Sequence, residues 1–108
     1  MSFNIIPTPA FEKELKHLAK KYPSIKKDVI DLAEKLEKDP KTGTALGNDC
    51  YKIRLAISSE SKGKSAGARV ITFVQIIEST VFLLSIYDKS EAANISDKLL
   101  KERLKKLK

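Results

Sequence analysis

The chemistry of this chain is concentrated in residues 62–69, which set Lys62, Lys64 and Arg69 within one short segment. The segment runs into an apolar stretch, Val70, Ile71, Thr72, Phe73 and Val74. Gly63 and Gly67 predict a pliable loop whose backbone can approach a ligand closely. The apolar stretch predicts a strand that holds Arg69 on a rigid support. A cationic loop ending in an anchored arginine suits a phosphate, because the guanidinium fork binds two phosphate oxygens and stays ionised.

Other catalytic sets are missing. The chain has one histidine, His17, one cysteine, Cys50, and scattered carboxylates. These give no metal-ligand spacing, and neither a P-loop nor a dinucleotide fingerprint is present. No Ser-His-Asp set can form unless His17 serves in it. His17 lies off the apolar stripe of its predicted helix and is expected at the surface. Cys50 is expected to pack as a small apolar residue. A lone cysteine forms no disulfide within the chain, which suits a reducing cytosol. No metal or cofactor is expected.

What remains is cationic chemistry. In metal-free RNA cleavage the 2′-OH of the RNA is the nucleophile. The protein must align it, take its proton, stabilise the phosphorane charge and help the 5′-oxygen leave. Lysine can shuttle protons where neighbouring cations or burial lower its pKa. Lys52 and Arg54, beside Arg69, supply such crowding. A basic sheet face is more often a binding surface than an active site.

The 108 residues predict one domain spanning 1–108, large enough to bury roughly two-thirds of its unfolded surface. Apolar residues make up 42% and charged residues 32%, so the chain reads as globular and not as a disordered tail. Its 21 Lys and Arg against 14 Asp and Glu leave a net charge of +7. That surplus favours polyanionic partners: nucleic acid, ribosomes or an acidic protein. The amino-terminal residues 1–7 have no basic head and no long apolar run. They predict no signal peptide, and no segment is long enough to span a membrane.

The elements that must carry these residues follow from periodicity. Phe3–Ile6, closed by Pro7 and Pro9, predicts a brief edge strand. Thr8 and Pro9 predict the cap and first position of a helix bearing Phe11, Leu15, Leu18, Ala19 and Tyr22. Beyond Pro23, a second stripe of Ile25, Val29, Leu32, Ala33 and Leu36 completes a helical hairpin before Pro40. Residues 41–49, with Gly43 and Gly47, read as a turn-rich linker. From Tyr51 to Ile57 the pattern alternates, with Tyr51, Ile53, Leu55 and Ile57 on one face and Lys52 and Arg54 on the other. Residues 68–77 and 81–87 predict two further strands in an antiparallel meander, the last apolar on both faces and therefore central. Ser90 is the expected cap of a final helix with a stripe of Ala92, Ile95, Leu99, Leu100, Leu104 and Leu107. The basic end of that helix suits the negative end of its dipole. The expected class is α+β, in the order β-α-α-β-β-β-α.

Three stretches carry a family resemblance: residues 50–55, from Cys50 to Leu55; residues 67–71, from Gly67 through Arg69 to Ile71; and residues 81–91, with Tyr87, Asp88, Lys89 and Glu91. In this order they resemble the core of the RelE/HigB/ParE toxin superfamily, in its HigB-like branch, and the helices match in order as well. The resemblance implies a RelE-like fold and the toxin of a type II toxin–antitoxin system. It implies a cytoplasmic mRNA endoribonuclease that acts in the A site of the 70S ribosome and inhibits translation. It also implies a cognate antitoxin, of helix-turn-helix type, as partner. Arg69, Lys52 and Arg54 match positions that serve RNA binding and catalysis in the family, and Lys89 matches a further basic position after the last strand. Lys62, Lys64 and Gly67 would grip RNA. RelE carries a proton-transferring tyrosine on its final helix, whereas this chain reads Asn94, Ile95, Ser96, Asp97 there. Lys52, Lys64, Lys89 and Tyr87 are therefore the candidates for proton transfer. A ParE-like inhibitor of DNA gyrase and a non-catalytic RNA- or protein-binding module are the alternatives.

Overall fold

Pro7 and Thr8 set the first change of structure. The computed structural model describes residues 2–59, 67–92 and 94–107, so Lys62 and Lys64 lie outside the described residues. Strand β1 (Asn4–Pro7) stops where proline offers no N–H to a ladder. Thr8 then makes the transition. Its N–H and hydroxyl both donate to Leu83 O, at 3.1 and 2.9 Å, and its Oγ1 accepts from Phe11 N–H at 3.2 Å. Helix α1 (Pro9–Ala19) starts there, with Pro9 in its first turn as expected. Helix α2 (Ile25–Lys38) begins after Ser24, whose hydroxyl donates to Asp28 and makes no capping bond, and Phe11, Leu18, Ile25, Val29, Leu32 and Leu36 are buried as the stripes predict.

The sheet has the order β1-β5-β4-β3-β2, from β2 (Thr44–Gly47), β3 (Cys50–Leu55), β4 (Ala68–Gln75) and β5 (Thr80–Asp88). Helix α3 (Asp97–Lys105) closes the described chain. The α+β class, helical hairpin, strand meander and final helix agree with expectation. Three details correct it. Residues 41–49 are not only a linker, because they contain β2 and a tight hairpin turn at Asn48 and Asp49, both at positive φ. Every residue of β2 is exposed, so no apolar alternation marks it. Strand β1 pairs with β5 in parallel, which makes the sheet mixed; the chain between them, through the helical hairpin and β2–β4, is the long connection that a parallel pair needs. Lastly, Ser96 and not Ser90 caps α3, accepting from Leu99 N–H at 3.1 Å. Ser90 bonds Asp88 instead, and Ala92 is exposed outside the helix.

Two apolar clusters flank the sheet. The larger joins Ile53, Leu55, Val70, Val74, Val81, Leu83 and Ile86 to α1 and α2. The smaller joins Cys50, Ile71 and Leu84 to Leu100 of α3. A bulge links the two. Ile71 pairs with Ser85 but Thr72 pairs with Leu83, so Leu84 is an extra residue on β5. The extra residue reverses the alternation of every side chain beyond it. Val81 and Leu83 face the helical hairpin, yet Ile86 does too, and Tyr87 faces α3.

Beyond Leu83, β1 no longer covers the edge of β5. Side chains take over. Glu14 Oε1 accepts from Ile86 N–H at 3.3 Å and from the Ser85 hydroxyl at 3.0 Å. Arg103 donates to Leu84 O at 2.7 Å and grips both oxygens of Glu14 at 3.0 and 3.1 Å. Arg103→Ala should leave Glu14 and Leu84 O without these donors and cost roughly 2–3 kcal/mol of stability in urea unfolding.

At the end of β5, the Asp88 carboxylate is 3% exposed. It accepts from Tyr22 Oη at 2.6 Å, Lys21 Nζ at 3.2 Å, and Ser90 N and Oγ at 2.9 and 2.8 Å. Burial pushes its pKa up, but the donors from Tyr22, Ser90 and Lys21 together outweigh it and hold the group at about 2. The unfolded chain titrates such a group near 4 and so binds the proton more readily. The contribution of Asp88 to stability is therefore complete above about pH 4 and lost as pH falls towards 2. Asp28 is shifted in the same direction: burial raises its pKa, and bonds from Ser58 and Ser24 more than reverse this. Unfolding free energy should fall through this acid window, and Asp88→Asn should flatten the fall, as urea titrations at stepped pH will read.

Candidate functional site

Antiparallel register places three of the predicted residues in one row. Arg54 of β3 lies opposite Arg69 of β4, and Arg69 lies opposite Tyr87 of β5. Directly opposed residues on one face bring their Cβ atoms to about 5 Å. The row lies on the α3 face of the sheet. Lys52 shares that face one step along β3, opposite Ile71. The bulge at Leu84 is what brings Tyr87 to it. Unbroken alternation would send Tyr87 to the helical hairpin with Val81 and Leu83.

The members differ in exposure. Arg54 is exposed and Lys52 half-buried, while Arg69 is only 5% exposed and donates to Ala68 O at 3.1 Å. The Tyr87 hydroxyl is buried, with no hydrogen-bond partner among the described residues. Burial raises the pKa of the phenol, against the opposing pull of the Arg69 guanidinium. The Ile95 N–H opposes the rise as well but lies outside hydrogen-bond geometry. The phenol is thus neutral at physiological pH and suited to giving a proton. Lys52 Nζ donates to Asn94 Oδ1 at 2.9 Å, which ties β3 to the segment before α3.

Gly67 and Lys89 meet through the backbone. Lys89 N–H donates to Gly67 O at 3.0 Å. Gly67 has φ +97°, and a Cβ there would lie 2.7 Å from Leu55 O. Its glycine requirement is explained by this crossing of β3, β4 and β5. The described part of the last helix, α3, has no tyrosine.

Asn94 and Arg103 escaped the sequence reading. Asn94 was visible only as a residue standing where the family has another type. Arg103 was read as one of several cations suited to a helix end, and nothing in its spacing signals the edge it caps. Cys50 is buried, and burial followed by the nearby Asp49 pushes its thiol up to about 11, so it has no nucleophilic role at neutral pH. His17 is exposed, as expected. A groove of about 800 Å³ between α1, the end of β5 and α3 reaches the row only at Tyr87. Among the described residues no three His, Cys, Asp or Glu side chains cluster as metal ligands do. Nor is any described helix long and apolar enough to cross a membrane.

The model of the RelE toxin of the RelE/RelB toxin–antitoxin system matches residues 10–107. The chain belongs to the RelE toxin family. RelE-family toxins are endoribonucleases that inhibit translation, and the chain is the toxin of a type II toxin–antitoxin system. No curated protein shows significant sequence similarity to it. Solved structures share its fold. A double arginine-to-alanine mutant of E. coli toxin RelE in the free state superposes with TM-score 0.64 at 20% identity, covering 100% of both chains. The isolated E. coli RelE toxin gives 0.51 at 21%, covering 99% of this chain and 100% of that one. The intact E. coli RelBE toxin–antitoxin complex gives 0.51 at 23%, covering 79% of this chain and 94% of its own.

The row of cations has an energetic consequence in this RelE-family toxin. Like charges directly opposite each other on a sheet are destabilising. Arg54→Gln should therefore stabilise the free protein by about 0.5 kcal/mol in thermal unfolding. The same change should weaken RNA binding and lower its salt dependence by about one unit of slope.

Proposed function

We propose that this toxin cuts mRNA in the A site of the 70S ribosome and so arrests translation in the cytoplasm until an antitoxin of helix-turn-helix type covers it. The observation that carries the reading is the in-register row of Arg54, Arg69 and Tyr87, with Lys52 beside it. Two guanidinium groups held opposite each other make a site whose electrostatic cost is offset by an anion with several oxygens. A scissile phosphate is such an anion.

In the reaction the 2′-OH attacks phosphorus, its proton leaves, and the 5′-oxygen departs with a proton. A cyclic 2′,3′-phosphate and a free 5′-OH remain. Arg69 meets the charge on the phosphorane oxygens, and its burial strengthens that interaction. Arg54 and Lys52 hold the RNA backbone, and Lys52 is a candidate to share in proton transfer. The neutral Tyr87 phenol suits the leaving oxygen as proton donor. Lys89 supports the scissile site, and Lys62 and Lys64 grip mRNA or ribosomal RNA. None of these roles calls for a metal.

Brief induction in cells followed by mapping of mRNA 5′ ends tests the proposal. Cuts should appear within translated reading frames, and protein synthesis should stop before replication. Arg69→Ala should lower cleavage by about 10²–10³-fold, in line with the loss of one preorganised charge donor. That variant should still fold and bind antitoxin. Growth arrest by Arg69→Ala at the wild-type level would remove Arg69 from its role. Intact mRNA with cleaved DNA would replace the proposal by gyrase inhibition, and saturating protein on uncut ribosome-bound mRNA would replace it by a binding module.

A further inference from the structure

Asp88 stands between Tyr87 and Lys89 in the chain, yet its side chain leaves by the other face of the sheet. There it reaches Lys21 and Tyr22, in the turn between α1 and α2. Each oxygen has two donors: Lys21 Nζ and Tyr22 Oη on one, the Ser90 N–H and hydroxyl on the other. This carboxylate therefore joins three things: the helical hairpin, the last residue of β5 and the turn that follows.

The place matters because β5 has lost its neighbour there. Pairing with β1 ends at Leu83, five residues before the strand does. Glu14 serves the edge only as far as Ile86. On the other side, β4 pairing ends at Ala68 opposite Asp88. A strand end held along one side frays more readily than one held along both. Tyr87 and Lys89 are the residues that fraying would displace: Tyr87 would lose its pairing with Arg69, and Lys89 its bond to Gly67 O.

We propose that Asp88 is a positioning residue for RNA cleavage: by clamping the end of β5 to the turn between α1 and α2, it keeps Tyr87 in register with Arg69 and Lys89 bonded to Gly67. The inference rests on the nuclease reading of the site. The Asp88 carboxylate bonds Lys21, Tyr22 and Ser90 and no residue of the basic row. Its effect passes through the backbone of its two neighbours, and displacement of reacting groups by about 1 Å is enough to cost about 10²-fold in rate.

The test is single-turnover cleavage of ribosome-bound mRNA by wild type, Asp88→Asn, Tyr22→Phe and Val29→Ala, at a temperature where all four are folded. Val29 lies in the core of α2 and is 7% exposed, so its variant is a stability control remote from the row. Asp88→Asn should lower the maximal rate about 10- to 100-fold and leave the half-saturating concentration within about threefold. Tyr22→Phe, which removes one donor, should lower the rate about threefold, and Val29→Ala should keep it. A wild-type maximal rate in Asp88→Asn, a loss confined to half-saturation, or an equal loss in Val29→Ala would each overturn the assignment. Should Asp88→Asn fail to fold, Tyr22→Phe decides by the same criteria.

Amide hydrogen exchange keeps this question apart from the nuclease reading. In Asp88→Asn, or in Tyr22→Phe, the Tyr87 and Lys89 amides should exchange at least about tenfold faster while those of Val70–Val74 do not change. Uncut mRNA with wild-type toxin, together with faster exchange in Asp88→Asn, would sink the nuclease reading and with it the role in cleavage, and would keep the clamp on β5. Unchanged exchange at Tyr87 and Lys89 would sink the clamp alone.

Discussion

The fold depends on satisfying one strand. β5 is buried on both faces and pairs with β1 and β4, so each of its backbone groups needs a partner inside the protein. β1 is four residues long and covers only the first part of it. The rest of the edge is completed by a carboxylate that stands in for a carbonyl and a guanidinium that stands in for an N–H. Glu14 comes from α1 and Arg103 from α3, so the same ion pair that completes the sheet also brings the first and last helices together. Half-exposed ion pairs usually contribute little. This one matters because both partners also bond backbone groups of β5.

The bulge at Leu84 is the second device on that strand. Without it the sheet would have a cationic pair facing α3 and a tyrosine in the opposite core. With it, β3, β4 and β5 each give one polar side chain to a single row. The row is not optimised for the free protein. It opposes two arginines and buries a phenol hydroxyl that has no partner among the described residues. Local conflicts of this kind in an otherwise consistent fold are where function is expected.

Much of this was legible in the residues. Helix stripes built on Phe11, Leu18, Ile25 and Leu36, the Thr8–Pro9 start and the alternation of β3 follow from periodicities with buried faces. The family was legible through the order of three motifs. β2 was not, because a strand exposed along its whole length has no apolar period to read. The Ser96 cap was not, because Ser90 stands before an equally plausible stripe, and only the demand of Asp88 for Ser90 decides between them. The site divides in the same way. Lys52 and Arg54 could be placed on one face from local alternation, with Arg69 expected beside them. Tyr87 could not, since a bulge is set by the pairing of two strands and not by either alone.

The bond from Thr8 to Leu83 spans 75 residues of chain. In a protein made from its amino terminus, β1 and the face of α1 that meets β5 wait until nearly the whole meander has been synthesised. Contacts this distant in sequence form late and slow the search for the native state. Until β5 has been made the nascent chain therefore has neither a closed sheet nor an aligned row. A protein whose proposed target is the translating ribosome would then become competent only after the ribosome making it has passed β5.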